Sequence, residues 1–297
     1  MNPLFLGLDA GGSWTRAVVL DAAGQELGRA TTAGANPTAR GVAAAVDSLA
    51  SAALPALRGL AADAVAGCVV GLAGLRTLAD RAAFAERCRT AFAIEARVRL
   101  LPDAVTAFAA GTEQRAGTVL IAGTGASCCQ VSECRVVRAG GGLGWLLGDE
   151  GSGFWLGREA LRHAHAEPGG PLGAAVLRHC GAAGPDELLP WAYDGPPRRL
   201  AELAPLVSAA AEAGDRAALA IAEAAAGHLA RLVRATASAT GPLVLAGSVA
   251  ASPGPVRERL LALLGGPVAI AGDPALAAAR LALRAGSAHP PYRPWDG

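Results

Sequence analysis

The chain has 297 residues, of which 52% are hydrophobic and 17% are charged, and its formal net charge is +1. This composition supplies enough apolar side chains for buried cores and excludes intrinsic disorder, while the length favours two domains over one. Because the charge is nearly neutral and the arginines are scattered, the sequence predicts a small ligand and neither a nucleic-acid nor a membrane partner.

The basic side chains are unusual, because all 26 are arginine and the chain contains no lysine. This excludes a P-loop, a protein-kinase site and a Schiff base, each of which depends on a lysine. Any phosphate chemistry therefore has to use backbone amides, hydroxyls, arginine and metal.

The cysteines and the N-terminus both indicate an intracellular protein. The six cysteines include no C-x-x-C pair, so we expect reduced thiols in or near the cores. No basic region precedes the short apolar run at the N-terminus, and no apolar stretch reaches the length of a membrane span. The predicted location is the cytoplasm.

The first hundred residues change from a strand pattern to alternating helices and strands. Strands are predicted over 4–9, 15–20 and 25–31, with the tight connections of an antiparallel meander. The segments that follow are a helix over 38–57, a strand over 64–74, a helix over 78–91, a strand over 96–101 and a helix with Asp103 as N-cap. This order predicts a mixed sheet with helices packed on it.

The second half of the chain repeats this plan. Residues 117–133 again show strand, glycine-rich turn and strand, and 242–252 resemble 69–77, with a helical insertion between 153 and 240. Two related domains are therefore predicted, 1–114 and 115–297, with a ligand in the cleft between them. The last helix, over about 274–286, could pack on the N-terminal domain, and the tail from 287 is predicted to be poorly ordered.

The stretch DAGGSWT combines a carboxylate, glycines and hydroxyls at the first turn. Gly11 and Gly12 allow a ligand to approach the backbone, Ser13 and Thr15 add hydroxyls, and Asp9 can organise Mg²⁺ through water. The turn leads into a strand and not into a helix, which excludes the P-loop and dinucleotide motifs. We therefore expect a β-hairpin turn that binds phosphate; an ordinary hairpin turn is the alternative.

Four motifs in order carry a resemblance to a known family. DAGGSWT, IAGTGAS and VLAGSVA resemble the two phosphate elements and the adenosine element of the actin-like, sugar-kinase and Hsp70 superfamily. Within it, GGLGWLLGDEGSG resembles the BadF/BadG/BcrA/BcrD group, which includes N-acetylglucosamine and glucosamine kinases. The resemblance implies an α/β fold of two actin-like (ribonuclease H-like) domains, each a mixed sheet flanked by helices, with an interdomain cleft. Trp14 departs from the pattern, where a small or basic residue is more usual.

The resemblance also implies roles for individual residues, with ATP and Mg²⁺ as cofactors, Asp9 at the metal and Asp103 as general base. The implied nucleotide-binding residues are Asp9, Gly11, Gly12, Ser13, Thr15, Gly123, Thr124, Gly125, Ser127, Gly247 and Ser248. The implied sugar-binding residues are Asn36, Asp103, Thr124, Gly125, Trp145, Asp149 and Glu150. Structural alternatives stay open for these side chains, including a helix cap at Asp103, a turn residue at Asn36 and a core position for Trp145.

The expected function is an ATP-dependent kinase that phosphorylates an amino sugar, N-acetylglucosamine at O6, with glucosamine as the alternative. Two alternatives from other classes are an ATP-driven activator of a CoA-ester dehydratase or reductase and a non-catalytic sugar sensor. The activator would need cysteine ligands for an iron–sulfur cluster, and Cys128 and Cys129, being adjacent in a strand, would point to opposite faces. The sequence leaves a homodimer open.

Overall fold

The computed structural model describes residues 2–286, which form two compact units. Of these residues, the first unit contains 2–116, 131–136 and 271–286, and the second contains 117–130 and 137–270. The tail predicted to be poorly ordered lies outside the described residues. Between residues 2 and 286 no helix is long and apolar enough to cross a membrane.

The first sheet has five strands in the order β3-β2-β1-β4-β5. Its strands are β1 (Leu4–Ala10), β2 (Trp14–Leu20), β3 (Glu26–Ala33), β4 (Val65–Leu72) and β5 (Val98–Pro102). The strands β1, β2 and β3 pair antiparallel, as the predicted meander requires, while β4 and β5 extend the sheet in parallel. The predicted mixed sheet is therefore confirmed.

The helices of the first unit that precede residue 110 are α1 (Pro37–Arg40), α2 (Val42–Ala56), α3 (Arg81–Phe92) and α4 (Asp103–Ala109), with short 3₁₀ helices at Ala62–Ala64 and Leu75–Thr77. Two predicted helices differ from the structure. The helix expected over 38–57 is divided at Gly41, whose φ of 81° is not a helical value. The helix expected from residue 78 begins at Arg81 because the Asp80 carboxylate caps it, accepting a hydrogen bond from the Ala83 amide at 2.8 Å.

The second sheet has the strand order β10-β9-β6-β7-β8. Its strands are β6 (Ala116–Ala122), β7 (Ala126–Ser132), β8 (Arg135–Gly141), β9 (Leu243–Ala246) and β10 (Val268–Ile270). The strands β6, β9 and β10 are parallel. The connections from β6 to β7 and from β7 to β8 are too short for a parallel crossover, so these strands form antiparallel hairpins. The second predicted copy of the plan is thus a second mixed sheet.

The insertion predicted between 153 and 240 is helical in the structure. It contains α5 (Gly153–Ala166), α6 (Pro171–Cys180), α7 (Leu188–Tyr193), α8 (Ala204–Glu212) and α9 (Arg216–Thr236), with 3₁₀ helices at Pro185–Glu187 and Pro197–Leu203. Two further helices, α10 (Ser248–Ala251) and α11 (Pro255–Leu264), follow β9. Alanines and leucines of α5, α8 and α9 form much of the core with Leu120 and Leu245 of the sheet.

The last helix, α12 (Pro274–Gly286), packs on the first sheet. A Cβ atom at Gly7 of β1 would collide with the backbone of Ala275 and Ala279, so this glycine lets the helix lie directly against the strand. The other face of β1 buries Leu6 and Leu8 in the core that α2 and α3 complete. Successive residues of β1 thus contact different helices, and Asp9 lies on the α12 side.

Candidate functional site

The first glycine turn joins β1 to β2 and is supported by the chain that follows β3. The Gly11 amide donates to the Trp14 carbonyl at 2.9 Å, and the Gly34 amide donates to the Ser13 carbonyl at 2.9 Å. A Cβ atom at Gly34 would collide with the Gly12 carbonyl, whereas a Cβ at Gly12 would meet nothing within 4 Å. The turn therefore packs closely on Gly34 and leaves Gly12 open to a ligand.

Two carboxylates lie next to this turn. Asp9 is near the end of β1, and Asp103 is the first residue of α4. The Thr106 hydroxyl lies between Asp9 and the backbone of Asp103, donating to the Asp103 backbone carbonyl at 3.0 Å and making a longer contact of 3.4 Å with Asp9 Oδ1. The Asp103 carboxylate is close enough to Asp9 to affect its pKa. A Cβ atom at Gly71 of β4 would meet the Thr106 methyl group at 2.6 Å, so Gly71 makes room for this side chain. The sheet and α4 together bring the acids into one polar cluster.

The surroundings raise the pKa of both acids. The pKa of Asp9 is raised to about 7, chiefly by burial and also by the nearby Asp103 carboxylate, while the Arg16 guanidinium partly counteracts these effects. Burial also raises the pKa of Asp103, against the Ala104 amide and Arg76. A cation beside these groups would favour their charged forms.

The donor atoms fit Mg²⁺ bound together with a nucleotide better than Mg²⁺ held by protein alone. In residues 2–286 no group of three or more His, Cys, Asp or Glu side chains could hold a metal ion. Mg²⁺ in phosphoryl-transfer sites is usually bound by one or two carboxylates, waters and substrate phosphates. Asp9 supplies such a carboxylate beside the first turn, whose residues Gly12 and Ser13 are exposed.

One predicted hydroxyl lies apart from this cluster. Thr15 is opposite Ala10 in the pairing of β1 with β2, so its side chain is on the face of the sheet that Asp9 does not share. The hydroxyl is fully buried and has no hydrogen-bond partner in the part of the chain that the structure describes. The structure therefore brings the first turn, Asp9 and Asp103 together without the Thr15 side chain.

Asp103 differs from its predicted position, because it is not the N-cap of α4. The cap residue is Pro102, and Asp103 begins the helix, where its Oδ1 accepts from the Ala104 amide at 3.0 Å. Asn36, in contrast, is a cap. Its side chain accepts from the Thr38 amide at 2.9 Å at the start of α1.

The second glycine turn joins β6 to β7 and is held by the start of α5. The Gly123 amide donates to the Gly125 carbonyl at 3.0 Å, which closes the turn. The Gly153 and Phe154 amides donate to the Gly123 and Thr124 carbonyls at 2.7 and 3.1 Å. The first amides of a helix have no partner within the helix, so here they fix the turn from one side.

Asp149 lies against the same turn. Its backbone has a φ of 64°, and its Oδ1 accepts from the Ala126 amide at 2.9 Å. A Cβ atom at Gly125 would lie 2.9 Å from Asp149 Oδ2, so the glycine leaves room for the carboxylate. Burial raises the pKa of Asp149, and the neighbouring Glu150 raises it further. Asp149 thus has one oxygen bound to the turn and the other directed at Gly125.

The remaining predicted residues of the second unit surround this turn or lie on its surface. Gly247 has a φ of 83°, and a Cβ atom there would collide with the Ala122 carbonyl, so this glycine lies directly against the end of β6. Ser248 begins α10. Trp145 is 47% exposed, with its ring centroid 5.8 Å from that of Phe154. Two further predicted residues are Glu150, which is exposed, and Ser127, which is partly buried in β7.

Comparison with known proteins identifies the family. A family model described as the BadF/BadG/BcrA/BcrD ATPase family matches residues 6–265. The chain belongs to this family. It is 28% identical over 230 residues to the N-acetyl-D-glucosamine kinase of Dictyostelium discoideum, an alignment that covers 71% of this chain and 72% of that protein.

Solved structures agree with this assignment. A Chromobacterium violaceum protein, provisionally named an N-acetylglucosamine kinase, superposes with a TM-score of 0.73 and 26% identity, over 95% of this chain and 99% of that chain. A Porphyromonas gingivalis protein with the same provisional name has a TM-score of 0.74 and 24% identity, over 93% and 97% of the two chains. The predicted family and the predicted actin-like fold class are therefore confirmed.

Three supporting residues of this ATPase family member were missed in the sequence. Gly34 supports the first turn, Thr106 lies between Asp9 and the backbone of Asp103, and Gly153 holds the second turn. Gly34 lies two residues before Asn36, and the fact that it is a glycine was the one sequence feature that could have indicated a close backbone contact there. Thr106 lies three residues after Asp103, so helical spacing places both on one face of α4. That spacing alone does not predict which strand this face contacts.

Proposed function

We propose that this chain is an ATP-dependent sugar kinase that transfers the γ-phosphoryl group to O6 of N-acetylglucosamine. The observation that carries the proposal is the pairing of Asp9 and Asp103 beside an open glycine turn. Family membership supports ATP as the phosphoryl donor. The Dictyostelium discoideum relative, named as an N-acetyl-D-glucosamine kinase, supports the sugar.

In the proposed reaction the two acids have different roles. Asp103 accepts the proton of the sugar hydroxyl as that oxygen forms a bond to the γ-phosphorus, and the bond from phosphorus to the β-phosphate oxygen breaks. Asp9 helps to hold Mg²⁺, which supplies charge neutralisation for the phosphates. The raised pKa of Asp103 suits this role, because burial makes its carboxylate a stronger base than that of an ordinary exposed aspartate.

The glycine turns and the polar side chains around them supply the other proposed ligand contacts, each in its own unit. Amides of the first and second turns bind phosphate oxygens, and Gly247 with Ser248 faces adenosine. The proposed ligands of the sugar hydroxyls are Asn36, Asp149 and Glu150, together with Thr124, Gly125 and Trp145. Carboxylates and carboxamides suit this purpose because each can make two hydrogen bonds to neighbouring hydroxyls.

The acetamide at C2 distinguishes N-acetylglucosamine from glucosamine, the second substrate considered. Free glucosamine carries an ammonium group that requires an acidic partner, whereas an acetamide requires a small apolar surface and one hydrogen-bond pair. The relative named for N-acetyl-D-glucosamine favours the acetamide.

A coupled assay of ADP release tests this function. Purified protein is given MgATP and, in turn, N-acetylglucosamine, glucosamine, N-acetylmannosamine, glucose or no sugar. We expect the highest kcat/KM with N-acetylglucosamine and formation of its 6-phosphate. ATP hydrolysis that no sugar accelerates would overturn the kinase proposal, and a higher kcat/KM with glucosamine would overturn the choice of sugar.

A further inference from the structure

A small polar cluster holds Asn36 in one orientation. Two segments of the chain form this cluster. The first contains Asn36, which lies between β3 and α1, and Thr38 in α1. The second is the short 3₁₀ helix that follows β4, where Gly74 precedes the helix and Thr77 ends it. The Thr38 and Thr77 hydroxyl oxygens are 2.7 Å apart, so the two segments are joined by a hydrogen bond between side chains.

The direction of each hydrogen bond in this cluster follows from the available donors. The Thr77 hydroxyl donates to the Gly74 carbonyl at 2.9 Å, and this uses its one hydrogen. The Thr38 hydroxyl is therefore the donor in the bond to Thr77. The Thr38 backbone amide, which lies in α1, donates a separate hydrogen bond to Asn36 Oδ1 at 2.9 Å.

This arrangement decides which end of the Asn36 carboxamide is available to a ligand. An amide N–H can only donate, so the atom of Asn36 that it meets is the oxygen. The Asn36 side chain is partly buried, and its Nδ2 atom makes no hydrogen bond to any residue that the structure describes. The end left for a ligand is thus a donor of two hydrogens.

Gly74 protects this orientation by having no side chain. Its φ is 78°, in the left-handed region. A Cβ atom at this position would collide with Asn36 Oδ1 and would lie 2.6 Å from Thr38 Oγ1. Even an alanine would therefore displace the carboxamide, the threonine bridge or both.

We propose that Thr77 and Gly74 are positioning residues, which hold the Asn36 carboxamide with its oxygen on α1 and its Nδ2 donor available to the sugar. The inference rests on the proposed sugar kinase function, in which Asn36 contacts the sugar, and adds the residues that orient this contact. A carboxylate at residue 36 could cap α1 equally well, but it could only accept hydrogen bonds.

The test compares conservative variants in the ADP-release assay. Asn36→Asp retains a capping oxygen and loses the donor, so we expect KM for the sugar to rise about tenfold or more. Thr77→Val removes the bridge, and we expect KM for the sugar to rise about threefold to tenfold, with kcat and KM for ATP unchanged. Thr77→Ser retains the hydroxyl and is expected to restore KM.

Controls separate positioning from a loss of folding. Thr90→Val changes an exposed threonine of α3 and is expected to leave every kinetic constant unchanged. Thermal unfolding of each variant confirms that it is folded, and Asn36→Asp tests the polarity independently of the bridge. If both Thr77→Val and Asn36→Asp had the wild-type KM for the sugar, this inference would be overturned. The proposed kinase function would still stand, because the sugar would still be phosphorylated. Failure of the wild-type protein to phosphorylate any sugar would overturn the proposed function and this inference together.

Discussion

The two glycine turns have similar sequences but are supported in different ways. The first turn packs on Gly34, leaves Gly12 open and has the carboxylates of Asp9 and Asp103 beside it. The second turn has its Gly123 and Thr124 carbonyls bonded to the first amides of α5, and Asp149 lies against it. The turn in the first unit therefore has two acids next to it, whereas the turn in the second unit has one, Asp149, whose Oδ1 already accepts a hydrogen bond from the Ala126 amide.

Under the proposed function, this difference suits the two turns to different purposes. A metal-bound phosphate needs nearby carboxylates, and the first turn has them. Backbone amides bind phosphate well only when they are fixed in advance, and the amides of α5 fix the second turn. Substitutions at the two turns should accordingly have different effects: loss of chemistry at the first and loss of structure or sugar binding at the second.

The largest expected effect is on turnover at the acids beside the first turn. Asp103→Asn should lower kcat by about 100-fold or more, because a general base contributes at least that factor. Dissociation constants for ATP and sugar, measured by calorimetry, should change little. Asp47→Asn, at an exposed position on α2, is the matched control. Near-normal kcat in Asp103→Asn would remove this residue from the proposed mechanism.

A smaller loss is expected in sugar binding at the second turn. Asp149→Ala should weaken sugar binding by about 2 kcal/mol, because a buried acceptor is lost. Asp149→Asn is the informative control, since asparagine tolerates the φ of 64° and keeps an oxygen for the Ala126 amide. An unchanged dissociation constant in Asp149→Ala would argue against a contact with sugar.

Replacing a glycine by alanine should lower the free energy of unfolding more at the second turn than at the first. Gly125→Ala places a Cβ atom 2.9 Å from Asp149 Oδ2, and we expect it to lower the free energy of unfolding by about 1–2 kcal/mol. Gly12→Ala has open space, so its effect should be within about 0.5 kcal/mol. Urea unfolding of both variants measures this difference, and equal effects would contradict the contrast drawn between the turns.

The last expected effect is a pH dependence of stability caused by Asp9. Its pKa is raised from 3.8 to about 7, so the folded protein favours the protonated acid and loses stability as pH rises from about 4 to about 7. In EDTA, Asp9→Asn should therefore be more stable than the wild type at pH 8, because the variant carries no buried charge at this position. The difference should vanish at pH 4. A gain of equal size at both pH values would show that ionisation of Asp9 is not its cause.

Much of the secondary structure was predictable because the spacing of apolar residues and the positions of glycines determine it locally. Alternating apolar residues placed β1 and β2 correctly, and the absence of a helix after Gly12 distinguished the first turn from a P-loop. The order of four motifs predicted the family, and the family match over residues 6–265 confirms it. The helix expected over 38–57 was wrong at Gly41, where a positive φ divides it.

The sequence by itself determined which residue types surround the turns, because strand period and glycine content are local properties of the chain. Only the tertiary structure decided which side chains share a space. Thr15 lies on the other face of the sheet from Asp9, whereas Thr77, 39 residues after Thr38, forms a hydrogen bond with it. The physical reason is that the face on which a side chain lies depends on the geometry of the turn and on contacts between segments, whereas strand period alone does not state which residue of one segment lies opposite a given residue of another.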